Sequence, residues 1–305
     1  MERTATWNGL GAKVGRCKDI ESVLQKSGLD YEVTKQQVYL PTGADSFMPV
    51  PNRFATVRQS DGKVYDVVSD RFEVIQNRDA FDFVNYMTDD IKFVTAGETE
   101  SGMVWIIAKM AEVSILGDAF TPHIIFRNGF NGAVRINAAI CPLRIACQNQ
   151  FNFAFRETAN KVSITHTPNA YNKLEDAKMS LKMCADYMEH LNIVAERYAG
   201  MHFDQFKVNA ILNEMFPVND TDISEYKRTI LTDAKMRFMK AYEQEDNYNF
   251  RGTAWGIINA YTDFITHKEP RSKKATRFEN NFMRSIDENM NRVLNIVDGF
   301  ASVAI

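Results

Sequence analysis

The chain has 305 residues, of which 45% are hydrophobic and 25% charged, and 36 Lys and Arg against 39 Asp and Glu give a formal net charge of −3. This composition is typical of a folded, soluble protein, and the length allows one large domain or two smaller ones with an ample hydrophobic core. The near-neutral balance excludes a polybasic, histone-like protein but remains compatible with a local basic patch.

No segment of the sequence is typical of membrane insertion or secretion. The N-terminus lacks the apolar stretch of a secretory signal, and no run of about 18 apolar residues occurs anywhere. The four cysteines, at positions 17, 141, 147 and 184, match neither zinc-ligand nor redox spacing. We therefore expect a cytoplasmic protein with reduced thiols and no membrane partner.

The first half of the chain predicts an antiparallel β-meander with two inserted helices. A helix over 19–27 ends at Gly28, and Asn77 is expected to cap a second helix that runs to residue 87. Prolines at 41, 49 and 51 indicate a bend, and Asp61-Gly62 predicts a type I′ hairpin turn. Strands are expected at 31–40, 53–59, 63–69, 91–96, 103–110, 112–116, 123–128, 133–140 and 161–166. Because their connections are too short for parallel crossovers, the sheet should be antiparallel.

From residue 167 the hydrophobic period changes from 2 to 3.6, which predicts helices. They are expected at 171–199, 204–215, 224–243, 253–267 and 275–300. The predicted class is therefore α+β, with a β-rich α+β domain over 1–166 and a helical region over 167–305. The helical region could also pack on the first to form one composite domain.

The common catalytic motifs are absent. No phosphate-binding loop, dinucleotide-binding glycine pattern, nucleophile elbow or zinc-protease motif occurs, and the five histidines are scattered. Enzymatic activity stays undecided, with a non-catalytic protein favoured, and no metal or other cofactor is expected.

Residues 121–170 combine cations, aromatic rings and amides. The segment contains five basic residues and a single acidic one, Glu157. The basic residues are Arg127, Arg135, Arg144, Arg156 and Lys161. Among them lie Phe126, Phe130, Phe151, Phe153 and Phe155, with several Asn and Gln residues. Cations bind phosphates and aromatic faces stack bases, so this segment is a candidate nucleic-acid site. Alternatively, the alternating phenylalanines form the core-facing edge of a strand and the arginines are ordinary surface residues.

A second basic run surrounds Pro270 and contains Lys273 and Lys274. It could contact phosphates or be a solvated turn. The apolar stripe of the last predicted helix could cover the sheet or dock another subunit, which makes a homo-oligomer plausible.

Four segments resemble a known family. They are VPNRF at 50–54 continuing in YDVVSDRFEVIQN at 65–77, CPLRIACQN at 141–149, ITHT at 164–167 and GTAWGIINAYTDF at 252–264. Together they resemble the phage- and plasmid-associated family known as domain of unknown function 932, over about residues 1–267. The resemblance implies a phage or mobile-element protein found among DNA-metabolism genes, and it brings no activity or catalytic residues with it.

This context favours a protein that binds and anneals single-stranded DNA, loosely similar in fold to ring-forming annealing recombinases. The five cations of 121–170, with Lys273 and Lys274, would hold phosphates, and Phe151 and Phe153 would keep bases apart for pairing. Alternatively, an oligomeric protein binds a host defence or replication factor through an exposed apolar face of helix 275–300. A third hypothesis is an enzyme whose site assembles from Asp70, Arg71, Arg144 and His166.

Overall fold

Two antiparallel sheets form the first half of the computed structural model, which describes residues 10–82, 84, 91–144, 149–150, 161–180, 184–267 and 286–302. The small sheet has the order β2-β3-β4, with strands Val33–Pro41, Phe47–Arg58 and Val64–Ser69. The large sheet has the order β1-β5-β6-β8-β9-β10, with β11 on β9 and β7 on β8. Its strands are β1 Ala12–Lys13, β5 Lys92–Glu98, β6 Met103–Lys109, β7 Val113–Ile115, β8 Asp118–Gly129, β9 Ile136–Arg144, β10 Asn149–Gln150 and β11 Lys161–Ile164.

Helices dominate the second half, so the predicted α+β class is confirmed. The helices are α1 Ile20–Ser27, α2 Asn77–Phe81, α3 Ala170–Ser180, α4 Cys184–Ala199, α5 Gln205–Met215, α6 Glu225–Tyr242, α7 Ala254–His267 and α8 Ile286–Ser302, with a 3₁₀ helix at Glu245–Phe250. Side-chain caps explain several of their starts. Asp19 accepts from the Ser22 amide at 2.8 Å, and Ser224 accepts from the Lys227 amide at 3.3 Å. Gly28 ends α1 in the left-handed conformation that the sequence predicted.

The predicted cap of α2 is wrong. Gln76 occupies the N-cap position, and Asn77 is the first helical residue. The Asn77 side chain is buried and donates to the Leu29 carbonyl at 3.0 Å, while its oxygen accepts from Asn128 at 3.1 Å. Asn77 therefore connects three segments of the chain rather than capping its own helix, because a buried amide is stabilised by whichever polar groups surround it.

The prolines lie in strands, not in a bend. Pro49 and Pro51 belong to β3, and the chain turns at 42–46, where the Thr42 amide donates to the Ser46 carbonyl at 2.8 Å. Strand β4 pairs only with residues 53–57 of β3. The prolines thus fall where β3 has a neighbour on one side only, and there a missing N–H costs no ladder hydrogen bond.

The Asp61-Gly62 hairpin is confirmed, but its turn type is different. Gly62 has φ 72° while Asp61 has no positive φ. The Arg58 amide donates to the Lys63 carbonyl at 2.9 Å, and the Gly62 amide donates to the Arg58 carbonyl at 2.9 Å. The loop is therefore longer than the two-residue type I′ turn, and only its last residue needs the left-handed conformation.

One side of the large sheet faces the main hydrophobic core. Ile106, Ile124 and Phe126 are fully buried there, in a cluster that also contains Trp255 of α7 and Val297 of α8. The buried residues of α8 are Met290, Val293, Ile296 and Val297. The described part of its apolar stripe is therefore core, while residues 275–285 of the predicted helix lie outside the described residues, so an exposed apolar face there stays a prediction.

The opposite side of the sheet carries a smaller apolar cluster around Trp105. Trp105, Ile107 and Ile125 are almost completely buried on this side. The Trp105 ring lies close to Gly97 of β5 and to Gly11, which has φ 65°. Glycine is required here because a Cβ on Gly97 would lie 2.9 Å from Trp105 Cζ2.

Replacing Gly97 by Ala should therefore destabilise the fold. The added methyl group must displace the Trp105 ring, and such overpacking typically costs about 1–3 kcal/mol in the free energy of unfolding. Urea unfolding followed by tryptophan fluorescence measures the change. Gly15→Ala is the matched control, because a Cβ there meets only the Phe93 carbonyl oxygen at 3.4 Å. Equal unfolding midpoints for the two variants would contradict the proposed role of Gly97.

Candidate nucleic-acid interface

The side of the large sheet that carries Trp105 also carries a group of basic strand positions. Side chains alternate between the two sides of a strand, and directly paired residues of adjacent strands share a side. Lys92 pairs with Lys109, and Trp105 pairs with Arg127. Lys13 pairs with Thr95, which in turn pairs with Ile107 on the same side. We call this side, with Lys13, Lys92, Lys109, Arg127 and strand position 161, the cationic face.

Strand β11 adds position 161 to this face through its backbone register. Lys161 pairs with Ala139 of β9, and Ala139 pairs with Ile125 of β8. Position 161 is thus two strands and two residues away from Arg127, a backbone separation of about 12 Å. By backbone register, strand position 161 therefore lies on the same side of the sheet as Arg127, and both were predicted from the sequence.

The charged strand positions of the cationic face are all basic among the residues that the structure describes. The carboxylates of the same strands lie at positions of the core side: Glu98 pairs with Val104, and Asp118 is two residues from buried Phe120. Glu98 also pairs with Lys63 at 2.7 Å and with Arg58 at 3.3 Å. This segregation favours a positive potential over the cationic face even though the whole chain is acidic.

Exposure differs across the face. Lys13, Lys92 and Lys109 are exposed, and Arg127 is partly buried. Trp105 is only 3% exposed, so its ring supports the sheet and presents no open surface for stacking. The accessible chemistry of the described part of this face is therefore cationic.

Two other positions of sequence-predicted cations, 135 and 144, lie outside the strand positions of the cationic face. Arg135 is exposed immediately before β9, at the same end of the strand as Asn137. Position 144 pairs with Phe120 and so belongs to the core side, about 27 Å along β9 from Ile136. Arg144 therefore does not share the cationic face with Arg127.

Several of the aromatic and amide residues that the sequence grouped with these cations are buried. Phe126 and Phe130 are fully buried in the main core, so they cannot stack bases. Asn128 is buried and donates to the Ile75 carbonyl at 3.0 Å. Phe151, Phe153, Arg156, Lys273 and Lys274 lie outside the described residues and stay predictions.

Sequence reasoning missed Lys13, Lys92 and Lys109. Lys92 and Lys109 are single cations in their own segments, and although Lys13 is followed by Arg16 and Lys18, that short run is far in sequence from residues 121–170. Only the cross-strand pairing of β1, β5 and β6 brings them beside Arg127. Because Ala108 is buried in the core, the alternation along β6 indicates that the Lys109 side chain lies on the opposite side of the sheet. It does not indicate that Lys92 is the neighbour of Lys109.

His123 lies on the cationic face but adds no charge at neutral pH. It pairs with Lys109 across the strands, and its Nδ1 is 2.9 Å from the Thr121 carbonyl oxygen. Burial lowers the pKa of His123 to about 4, and the nearby Lys109 acts in the same direction. The imidazole is therefore neutral at pH 7.

Of the positions proposed for an enzyme site, position 144 lies far from His166. The His166 ring is buried and stacks on Phe72 at 4.8 Å, with Nδ1 3.0 Å from the Glu73 carbonyl oxygen. His166 follows β11 near the start of β9, whereas position 144 lies at the end of β9. Within the described ranges, no three His, Cys, Asp or Glu side chains come together in a way that could hold a metal ion.

The pKa of His123 predicts an acid-sensitive stability. The unfolded histidine takes up a proton near pH 6.5, but the folded one does so only near pH 4. The free energy of unfolding should thus fall as the pH drops from about 6.5 to about 4, by about 3 kcal/mol from this residue. Replacing His123 by Asn should remove this contribution, so the urea-unfolding stability of the variant should fall less steeply than that of the wild type over this range. Parallel slopes for the wild type and the variant would refute the assignment.

Comparison with known proteins identifies a family. The model of the domain of unknown function DUF932 matches residues 64–295. The matched range begins later in the chain than the resemblance over about residues 1–267 and ends later as well. It contains the segments at 65–77, 141–149, 164–167 and 252–264. No curated protein and no solved structure matches the chain. Among the described residues, no helix is both long enough and apolar enough to cross a membrane. The chain belongs to the DUF932 family.

Proposed function

We propose that this protein binds single-stranded DNA on its cationic face and promotes the pairing of complementary strands, as a phage or mobile-element protein in a bacterial cytoplasm. The observation that carries the proposal is the segregation of charge: strand positions 13, 92, 109, 127 and 161 are all basic and share one side of the large sheet. A surface of this kind attracts a polyanion, and attraction to phosphates does not depend on base sequence.

Binding would rest on phosphate contacts. Lys13, Lys92 and Lys109 have exposed ammonium groups that neutralise phosphates and release their counterions. Arg127, which is partly buried, adds positive charge to this surface. The rigid layer of Trp105 and Ile107 beneath them keeps the backbone of these cations fixed. Contacts to phosphates alone would leave the bases accessible, which annealing requires.

Annealing would need no cofactor and no covalent step. Strands held by their phosphates repel each other less, because bound cations replace the diffuse counterion atmosphere. Phe151 and Phe153 remain the residues to which the sequence assigns base stacking. The alternative function, binding of a host defence or replication protein, is favoured by one observation only: exposed apolar side chains at the end of the small sheet, including Tyr39 and Phe47.

Charge reversal on the cationic face tests the proposal. In fluorescence-anisotropy titrations at low salt, wild-type protein should bind a short single-stranded oligonucleotide more tightly than the corresponding duplex. The double variant Lys92→Glu/Lys109→Glu should bind the single strand at least about tenfold more weakly, with a salt slope smaller by about 2, because two phosphate contacts are lost. A quenched-oligonucleotide assay should show slower annealing by this variant.

The matched control is Lys26→Glu/Lys227→Glu. It makes the same change in net charge at exposed positions on α1 and α6. The paired Lys92 and Lys109 become paired carboxylates, so the like-charge repulsion within the fold is the same before and after the change. Equal losses of affinity in the two double variants would show that the loss depends on net charge alone, and this would contradict a specific role of the cationic face. Absence of wild-type binding at low salt would overturn the proposal.

A further inference from the structure

The small sheet ends in a projecting ribbon. Strand β4 pairs with β3 only over residues 53–57, whereas β2 and β3 remain paired as far as Pro41 and Phe47. We call residues 38–50, with their turn at 42–46, the ribbon. Phe47 is six residues from Arg53, so the two-stranded part extends about 20 Å beyond the three-stranded part.

The ribbon is apolar on both of its sides. Pro41 pairs with Phe47, and Tyr39 is two residues from Pro41, so Tyr39 and Phe47 share one side. Leu40 pairs with Met48 on the other side. Tyr39 is 55% exposed and Phe47 is 67% exposed, and Leu40 and Met48 are each 52% exposed. The ribbon therefore offers apolar side chains to a partner at its end and on both of its sides.

A surface pocket beside α6 has matching chemistry. Its volume is about 670 Å³, and its apolar lining comes from Val218, Met236 and Met239. Met236 is 61% exposed although it is a large apolar residue. Methionine side chains adapt to the shape of what they bind, and a pocket of this size accommodates several apolar side chains.

The charges of the two surfaces are complementary. Asp45, in the turn, is the only charged residue of the ribbon. The pocket is flanked by Lys235 and Lys240 against the single acid Glu243. Within one chain the ribbon does not fill the pocket, because the ribbon's apolar side chains and Met236 are all exposed.

The geometry points to a self-association site: the ribbon of one copy inserts its apolar end into the α6 pocket of a second copy, with Asp45 near Lys235 and Lys240. Because two different surfaces meet, the contact is heterologous, and repetition of it generates a ring or an open filament. This route differs from the oligomer expected from the sequence through the last helix, since the described stripe of α8 lies in the core. It is independent of the proposed DNA binding.

Mixing two monomeric variants tests this arrangement. Sedimentation velocity of the wild type should show concentration-dependent species of two or more 34.9 kDa chains. Phe47→Asp disables the ribbon and Met236→Asp disables the pocket, so each variant alone should be monomeric. An equimolar mixture should form a 1:1 dimer, because the first variant keeps an intact pocket and the second an intact ribbon.

Several outcomes would overturn the inference. They are a monomeric wild type at all concentrations, wild-type assembly by either variant, and a mixture that stays monomeric. Circular dichroism verifies that both variants fold, which is expected because both positions are exposed. The control variant Phe206→Asp changes an aromatic residue that is 82% exposed on α5 outside both surfaces, and it should assemble like the wild type.

Discussion

The register of β5, β6 and β8 is the constraint on which the described architecture depends. Residues of β6 are buried on both sides of the sheet, with Ile106 in the main core and Trp105 in the smaller cluster. A slip by one residue would exchange the two sides and would drive Lys109 and Arg127 into the core. The cost of burying unpaired cations excludes that register. The apolar packing therefore determines where the cations lie, although it contributes nothing to their charge.

The small sheet is joined to the large one by a partly buried ion cluster. Arg58 lies 4.4 Å from the Tyr31 ring centre and pairs with Glu98 at 3.3 Å, and the Tyr31 hydroxyl donates to Glu98 at 3.1 Å. Burial, together with the Glu98 charge, raises the pKa of Tyr31 to about 12, so the phenol stays protonated and continues to donate. The cluster both neutralises a carboxylate of the large sheet and fixes the base of the ribbon, while the end of the ribbon remains free for contact.

Local signals account for the parts of the fold that the sequence predicted. Asp19, Gly28 and Ser224 fix helix ends through contacts within a few residues, and such contacts are readable from sequence. Asn77 was misassigned because its partners, Leu29 and Asn128, are distant in the chain. The candidate site was only partly predictable for the same reason. Charge clustering in sequence identified Arg127, but the neighbourhood of Lys92 and Lys109 follows from strand pairing alone.

Self-association and phosphate binding reinforce each other if both occur. A heterologous contact gives every copy the same orientation relative to its neighbour, so the cationic faces would repeat at a fixed spacing along a ring or filament. A strand that spans several copies then binds the second face at a high effective concentration, and its overall affinity exceeds that of one face without any new contact. The few exposed cations of a single face would then suffice for a long strand, whereas a short oligonucleotide would depend on one face only. A moderate charge on each copy would also keep binding reversible, and annealing requires that strands be released once they have paired.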